Sequence, residues 1–159
     1  MKFNSALKYF ILVLFSTLLI SACSTAKKAA VDTVDDVYTG TDTVEYLANG
    51  VPDRVFFATN KSSLTTRSRD TLRKQATYLR KNKDLTVTIE GHADERGTRE
   101  YNLALGERRA NAAKDYLMTY GVSGKRISVI SYGKEKPVNP ASSPLAWSQN
   151  RRSVTIKAN

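Results

Sequence analysis

A chain of 159 residues accommodates one domain with attachments rather than several domains. Its formal charge is +10, from 25 lysines and arginines against 15 acids, which points to an anionic partner such as nucleic acid, lipid or polymer. A single cysteine excludes an intramolecular disulfide, and a single histidine without a second ligand makes a poor metal site.

The first 22 residues read as an export signal. Lys2 and Lys8 form its basic start, Tyr9 to Ile20 is almost wholly apolar, and Ser21 and Ala22 lead to Cys23. An apolar run of about a dozen residues is too short to remain comfortably as a helix across ~30 Å of hydrocarbon, so a retained anchor is the weaker alternative. Export argues against nucleic acid as a partner. Without Lys2 and Lys8 the charge is +8, from 23 basic and 15 acidic residues.

Ile20-Ser21-Ala22-Cys23 resembles the bacterial lipobox, with isoleucine in place of the more usual leucine. The resemblance implies that the Cys23 sulfur receives a diacylglycerol, that the chain is cut just before Cys23, and that the new amine is acylated, palmitate being a typical acid. Each buried methylene contributes about 0.8 kcal/mol, so two or more chains anchor almost permanently. Ser24, where aspartate would signal inner-membrane retention, points to the outer membrane. No cofactor is expected beyond this covalent lipid.

Residues 23–50 read as the lipidated terminus and a flexible linker, rich in Thr, Asp, Val and Ala, with residues 51–159 as the folded domain. The 27 residues from 24 to 50 would span about 30 Å as a coil and about 90 Å extended. A short strand or turn is possible near Thr43–Leu47.

From Val51 the pattern becomes regular. Val55-Phe56-Phe57 reads as a strand, and the hydroxyls of Lys61-Ser62-Ser63-Leu64 as a helix start. Leu72, Ala76 and Leu79 mark one face of a helix near 65–82, where Arg67, Arg69, Arg73, Lys74, Arg80, Lys81 and, just beyond, Lys83 read as a solvated face. Leu85 to Glu90 alternates as a strand, with Leu85, Val87 and Ile89 inward, and a loop follows from Gly91. A helix over 99–120 places Ala110, Ala113, Leu117 and Tyr120 on one face, stopped by Gly121. Ile127–Tyr132 is a strand, Ser143-Pro144 opens a short helix through Trp147, and Val154–Ile156 is a half-buried final strand. The order β-α-β-α-β-(short α)-β predicts one sheet with helices packed on one face.

Chemistry concentrates in Glu90-Gly91-His92-Ala93-Asp94-Glu95-Arg96-Gly97-Thr98-Arg99-Glu100-Tyr101-Asn102 and in Leu105-Gly106-Glu107-Arg108-Arg109-Ala110-Asn111. The first is a loop at the C-terminal end of a strand, where ligands of such sheets tend to bind, and the second lies on the helix that follows. Asp94 and Arg109 can then face one small site, the carboxylate taking an ammonium and the guanidinium fork a carboxylate. Spacing alone favours the plainer alternative, a structural Asp–Arg ion pair. His92 reads as a structural hydrogen-bonding residue. Gly106 costs its helix about 1 kcal/mol relative to alanine, explained by close approach of a ligand or strand or by tight helix packing. Asp94, Glu95 and Glu100 could imitate a glycosidase acid pair, but no Ser-His-Asp, Cys-His or metal-ligand set accompanies them.

The stretch from Val55 to Ile156 resembles the OmpA-like peptidoglycan-binding domains, and most nearly those of the lipoproteins of the Tol system. Glu90–Thr98 with Tyr101-Asn102, Leu105–Ala112, Ser131-Tyr132-Gly133-Lys134-Glu135-Lys136-Pro137 and Asn150-Arg151-Arg152 carry the resemblance. It implies an α+β domain with one mixed sheet. It implies that Asp94 contacts diaminopimelate of the peptidoglycan stem peptide, that Arg109 binds its carboxylate end, and that Leu105 and Arg96 line and border the pocket. Asn60, after Thr59, stands where relatives often have aspartate, which puts the first-strand contact in doubt. Phe57 matches a strand phenylalanine that is as much core as site. Of Arg151 and Arg152, one is expected to border the site and the other to be solvated.

Three functions compete at this point. The first is an outer-membrane lipoprotein, its domain in the periplasm, that tethers the membrane to peptidoglycan. It would serve envelope integrity and cell division with TolB and other Tol-system proteins. The second is a peptidoglycan-processing hydrolase using Glu95 or Glu100. The third is the domain of a motor stator, which needs a retained transmembrane helix that the lipobox argues against.

Overall fold

A computed structural model describes residues 36–158. The signal segment, Cys23, Ser24 and the expectations attached to them lie outside the described residues.

Four strands form the main sheet: β3 (Arg54–Phe56), β4 (Thr86–His92), β5 (Ile127–Gly133) and β6 (Arg152–Ala158). The helices are α1 (Thr66–Lys81), α2 (Arg99–Thr119) and the short α3 (Pro144–Asn150). The strand order is β3-β6-β4-β5. β6 runs antiparallel to both β3 and β4, whereas β4 and β5 are parallel and joined through α2. The sheet is therefore mixed, as the family resemblance implied. Parallel neighbours need a long crossover, and α2 supplies it.

The core lies between one face of the sheet and the two long helices. Val55, Phe57, Val87, Ile89 and Ile127 meet Leu72, Ala76 and Leu79 of α1 and Ala110, Ala113 and Leu117 of α2. Leu85 packs at the margin of this cluster. Each large side chain fully withdrawn from water contributes about 1.5–3 kcal/mol. The basic residues of α1 named above are exposed, so that row is a solvated face.

Several boundaries differ from the sequence reading. The chain is already folded at residues 36–50, so a free tether does not extend to 50. Tyr38 is buried with its ring centroid 4.9 Å from that of Phe56, and Leu47 is buried in β1 (Tyr46–Ala48), which pairs with β2 (Val51–Pro52). These apolar residues are too sparse to show a period, yet both are buried, Tyr38 against Phe56 of β3. The α1 cap is Thr65, whose hydroxyl accepts the Ser68 N–H at 3.1 Å, rather than Ser62 or Ser63. β4 continues through Gly91 and His92, because Gly91 still pairs with Ser131 and Ser153 on its two sides. α2 ends at Thr119, and Tyr120 caps it 37% exposed instead of joining the core. Ser143 does cap α3, accepting the Ala146 N–H at 3.2 Å, but that helix runs on to Asn150.

Candidate functional site

The site is assembled where the ends of β3 and β4 meet the start of β6. Gly91 of β4 and Gly106 of α2 set the spacing. A Cβ on Gly106 would lie 2.8 Å from the Gly91 carbonyl oxygen, and one on Gly91 would overlap the Gly106 carbonyl. Of the alternatives open for Gly106, close approach to a strand is the one observed. The helix thus lies against β4, and the loop after β4 is carried to the helix N-terminus. Thr98 caps α2 by accepting the Tyr101 N–H at 3.2 Å.

Asp94 opens that loop and is 7% exposed. Its carboxylate accepts from Arg96 N at 3.1 Å, Arg96 Nε at 3.1 Å, Arg96 Nη2 at 2.7 Å and Arg151 Nη1 at 3.3 Å. Burial works against its charge, but the hydrogen bonds and charge of Arg96, together with Arg151, outweigh burial and hold its pKa below the ordinary carboxylate value. Four N–H donors fill the acceptor capacity of the two oxygens. The Arg96 side chain is 42% exposed and is the movable partner, whereas that of Arg151 is 3% exposed.

Arg109 is placed differently from expectation. It has no exposed surface, and it donates to three main-chain carbonyls: Lys61 at 2.9 Å, His92 at 2.8 Å and Ala58 at 3.1 Å. Its guanidinium lies 5.3 Å from the Phe57 ring centroid. No ion pair joins it to Asp94 among the described residues, so the simple Asp94–Arg109 pair is not formed. Burial, then the neighbouring Arg151 charge, lowers its pKa to about 10, while Asp94 and Asp36 support its charge from nearby. It remains a cation at neutral pH, beneath the site rather than open to it.

Arg151 borders the site. Its Nε donates to the Phe57 carbonyl at 3.1 Å while Nη1 reaches Asp94. Arg152 is not solvated; it is 6% exposed, and burial followed by the nearby Arg54 lowers its pKa to about 10. Phe57 belongs to the hydrophobic core. Leu105 is 3% exposed one turn before Arg109 on α2. Thr59 receives Arg96 Nη2 on its hydroxyl at 3.3 Å. Asn60 is exposed and adopts φ +54°, a left-handed conformation that asparagine tolerates better than most residues, so its evident contribution is to the turn.

Four residues to which the sequence reading gave no role in binding complete the site. Asn102 is buried and donates to the Arg96 carbonyl at 2.8 Å. Lys134 donates to the Gly97 carbonyl at 2.7 Å. Trp147 donates to Glu95 Oε1 at 2.8 Å, and its ring centroid lies 4.3 Å from the Arg96 guanidinium carbon. Asp36 reaches Thr59 and Arg151 from before β1. A cleft of about 440 Å³ is lined by Asp36, Thr59, Arg96, Leu145, Trp147 and Arg151 among others, so both arginine partners of Asp94 face it.

His92 is 2% exposed; its Nε2 lies 3.5 Å from Glu90 Oε2, but neither ring nitrogen makes a hydrogen bond among the described residues, so the expected hydrogen-bonding role is not seen. Burial first, then Arg152 and Arg54, depress its pKa to about 3. It is a neutral packing residue beside Tyr132, with ring centroids 5.6 Å apart.

A mixed four-stranded sheet backed by two long helices, with an ion-paired cleft at one end, is the OmpA-like architecture. The model described as "OmpA family" matches residues 56–151, and the chain belongs to that family. A protein of Rhizobium meliloti named Peptidoglycan-associated lipoprotein is 57% identical over 106 residues, covering 67% of this chain and 60% of that protein. One of the same name from Brucella melitensis is 42% identical over 151 residues, covering 91% of this chain and 89% of that protein. The crystal structure of the peptidoglycan-associated lipoprotein from Burkholderia pseudomallei is similar with a TM-score of 0.65 at 37% identity, covering 67% of this chain and 90% of that one. The matched region thus spans about three-fifths of the R. meliloti relative's length and most of the Brucella relative's.

Proposed function

We propose that this chain is an outer-membrane lipoprotein that holds peptidoglycan non-covalently through the diaminopimelate of the stem peptide. The observation that carries the reading is the pairing of buried Asp94 with Arg151 and Arg96, two cations that line an open cleft. Diaminopimelate carries an ammonium and a carboxylate on one carbon at the end of its side chain. A site presenting a carboxylate and guanidinium groups side by side matches both charges.

In this reading the ammonium takes the place of the Arg96 side chain on Asp94. Arg151 and the Thr59 N–H receive the carboxylate. Arg109 acts from below: it fixes the carbonyls of Ala58, Lys61 and His92, and its charge adds to the cationic side of the site. Leu105 and Phe57 are buried behind the site and support it from the core side, and Asn60 sets the turn after Thr59. The names shared by the relatives support the same partner.

The lipid on Cys23 would hold the domain to the outer membrane and leave it in the periplasm. Joining membrane to wall serves envelope integrity and division within the Tol system, with TolB as a partner competing for this surface. The hydrolase alternative is weaker. Hydrogen bonds from Ser142 and Trp147 lower the Glu95 pKa, whereas a general acid needs its pKa raised. Co-sedimentation with sacculi, with and without free diaminopimelate, tests the proposal. Binding that free diaminopimelate abolishes is the expected result; binding indifferent to it would refute the assignment.

A further inference from the structure

Asp36 precedes every strand among the described residues, yet its side chain lies in the cleft. Its Oδ2 accepts the Thr59 N–H at 2.7 Å and faces Arg151 Nη2 at 3.4 Å. The main-chain carbonyl of Asp36 accepts from the same Arg151 nitrogen. Burial opposes the charge of Asp36, but the Thr59 hydrogen bonds, Arg151 and Arg96 outweigh it and hold the carboxyl below its ordinary pKa.

These contacts do not serve the core. The Asp36 side chain is 44% exposed, and its segment is anchored two residues later by the buried ring of Tyr38 on Phe56. What Asp36 occupies is a cradle for a carboxylate, made of a backbone N–H and a guanidinium beside Asp94. The cradle is the one to which the proposed function assigns the ligand's carboxylate, and the inference rests on that reading.

The geometry points to self-occlusion: the Asp36 carboxylate is a built-in competitor that must leave Thr59 and Arg151 before a ligand carboxylate can take its place. The exchange is charge for charge. One carboxylate departs as another arrives, so the donors of the cradle are satisfied in both states. Only the difference between the two sets of contacts appears as affinity. A competitor tethered close to its site acts at an effective concentration in the millimolar range, so even a weak contact is populated. The apparent dissociation constant is then the intrinsic one divided by the fraction of open clefts.

Asp36→Ala in the full-length chain in detergent tests this, with Asp36→Asn as a second variant that keeps the side-chain volume. Free diaminopimelate is the titrant. Both variants should bind it more tightly than the parent, Asp36→Ala by about threefold or more if at least two-thirds of the parent is closed. Their melting temperatures should stay near the parent's, because Tyr38 is untouched. Equal or weaker binding by the variants would overturn self-occlusion while leaving the diaminopimelate reading in place. If neither parent nor variant binds diaminopimelate, acetate followed at the Thr59 amide resonance decides. Saturation at lower acetate in Asp36→Ala supports self-occlusion and places the failure on the ligand assignment; identical curves overturn self-occlusion too.

Discussion

Arg151 Nη1 lies 3.3 Å from Asp94 Oδ2 although 57 positions separate the two residues. The same guanidinium holds the Phe57 carbonyl at 3.1 Å, so the end of β3, the loop after β4 and the start of β6 meet at one side chain. Arg151, rather than Arg109, is the cation that faces Asp94.

The two arginines therefore separate on mutation. Arg109→Ala should fail chiefly as a folding variant. It removes a fully buried side chain and strands three carbonyls, and each buried acceptor left unsatisfied costs about 1–3 kcal/mol. Arg109→Lys should recover only part of this, because one ammonium cannot span the three carbonyls. Urea denaturation measures both. An Arg109→Ala variant of parental stability would show that these bonds contribute nothing.

Gly106→Ala should destabilise despite the better helix propensity of alanine. The new methyl would sit 2.8 Å from the Gly91 carbonyl oxygen and crowd the Ser131 hydroxyl. Overpacking of this kind costs about 1–3 kcal/mol, a fall in melting temperature of roughly 4 °C or more. A melting temperature at or above the parent's would mean that β4 and α2 can separate freely.

The pH dependence of stability isolates His92, the only histidine in the chain. Its folded pKa is depressed to about 3 from an ordinary 6.5, so the unfolded chain binds a proton in a range where the native state does not. Its stabilising contribution is fully present above 6.5 and is lost as pH falls from there towards 3. Between pH 7.5 and 5 the loss should be about 2 kcal/mol, at 1.36 kcal/mol per unit below 6.5. Asp36 and Asp94 have lowered values, so their contributions hold until pH falls below the ordinary carboxylate range. His92→Gln should flatten the profile between pH 7.5 and 5. A variant with the parent's slope would assign the effect elsewhere.

How much of this was legible depends on the residue. Leu72, Ala76 and Leu79, and the alternation of Val87 and Ile89, announced α1 and β4 because apolar burial follows the period of each element. The α2 helix is less transparent, since its buried face carries Asn102, Gly106 and Arg109 beside its alanines. Asp94 and Arg96 were visible as a charged loop at a strand end. The burial of Arg109 was not, because its partners are main-chain carbonyls of the segment after β3 and of the end of β4 that no side-chain pattern records. Asp36, Trp147 and Lys134 reach the site through tertiary contacts from distant segments. Tyr38 and Leu47, two apolar residues nine positions apart, gave no period from which to extend the domain.

Cys23→Ser should abolish lipid attachment and leave the signal segment uncut, since only a thiol there accepts the diacylglycerol. Mass spectrometry of the membrane fraction reads both. An acylated, processed variant would show that the lipobox resemblance misleads.

The most direct measurement of the central claim is calorimetric titration of the parent and of Asp94→Asn with stem peptides that carry either diaminopimelate or lysine, each bonded through its α-amino and α-carboxyl groups, so that the lysine side chain ends in an ammonium without a carboxylate. The parent should bind the diaminopimelate peptide and bind the lysine peptide at least about 30-fold more weakly, because a buried charge left unpaired costs on the order of 2–5 kcal/mol. Asp94→Asn should lose the diaminopimelate peptide by a similar factor while remaining folded. Equal affinity of the parent for the two peptides, or undiminished binding by a folded Asp94→Asn, would contradict the placement of the ligand on Asp94 and Arg151.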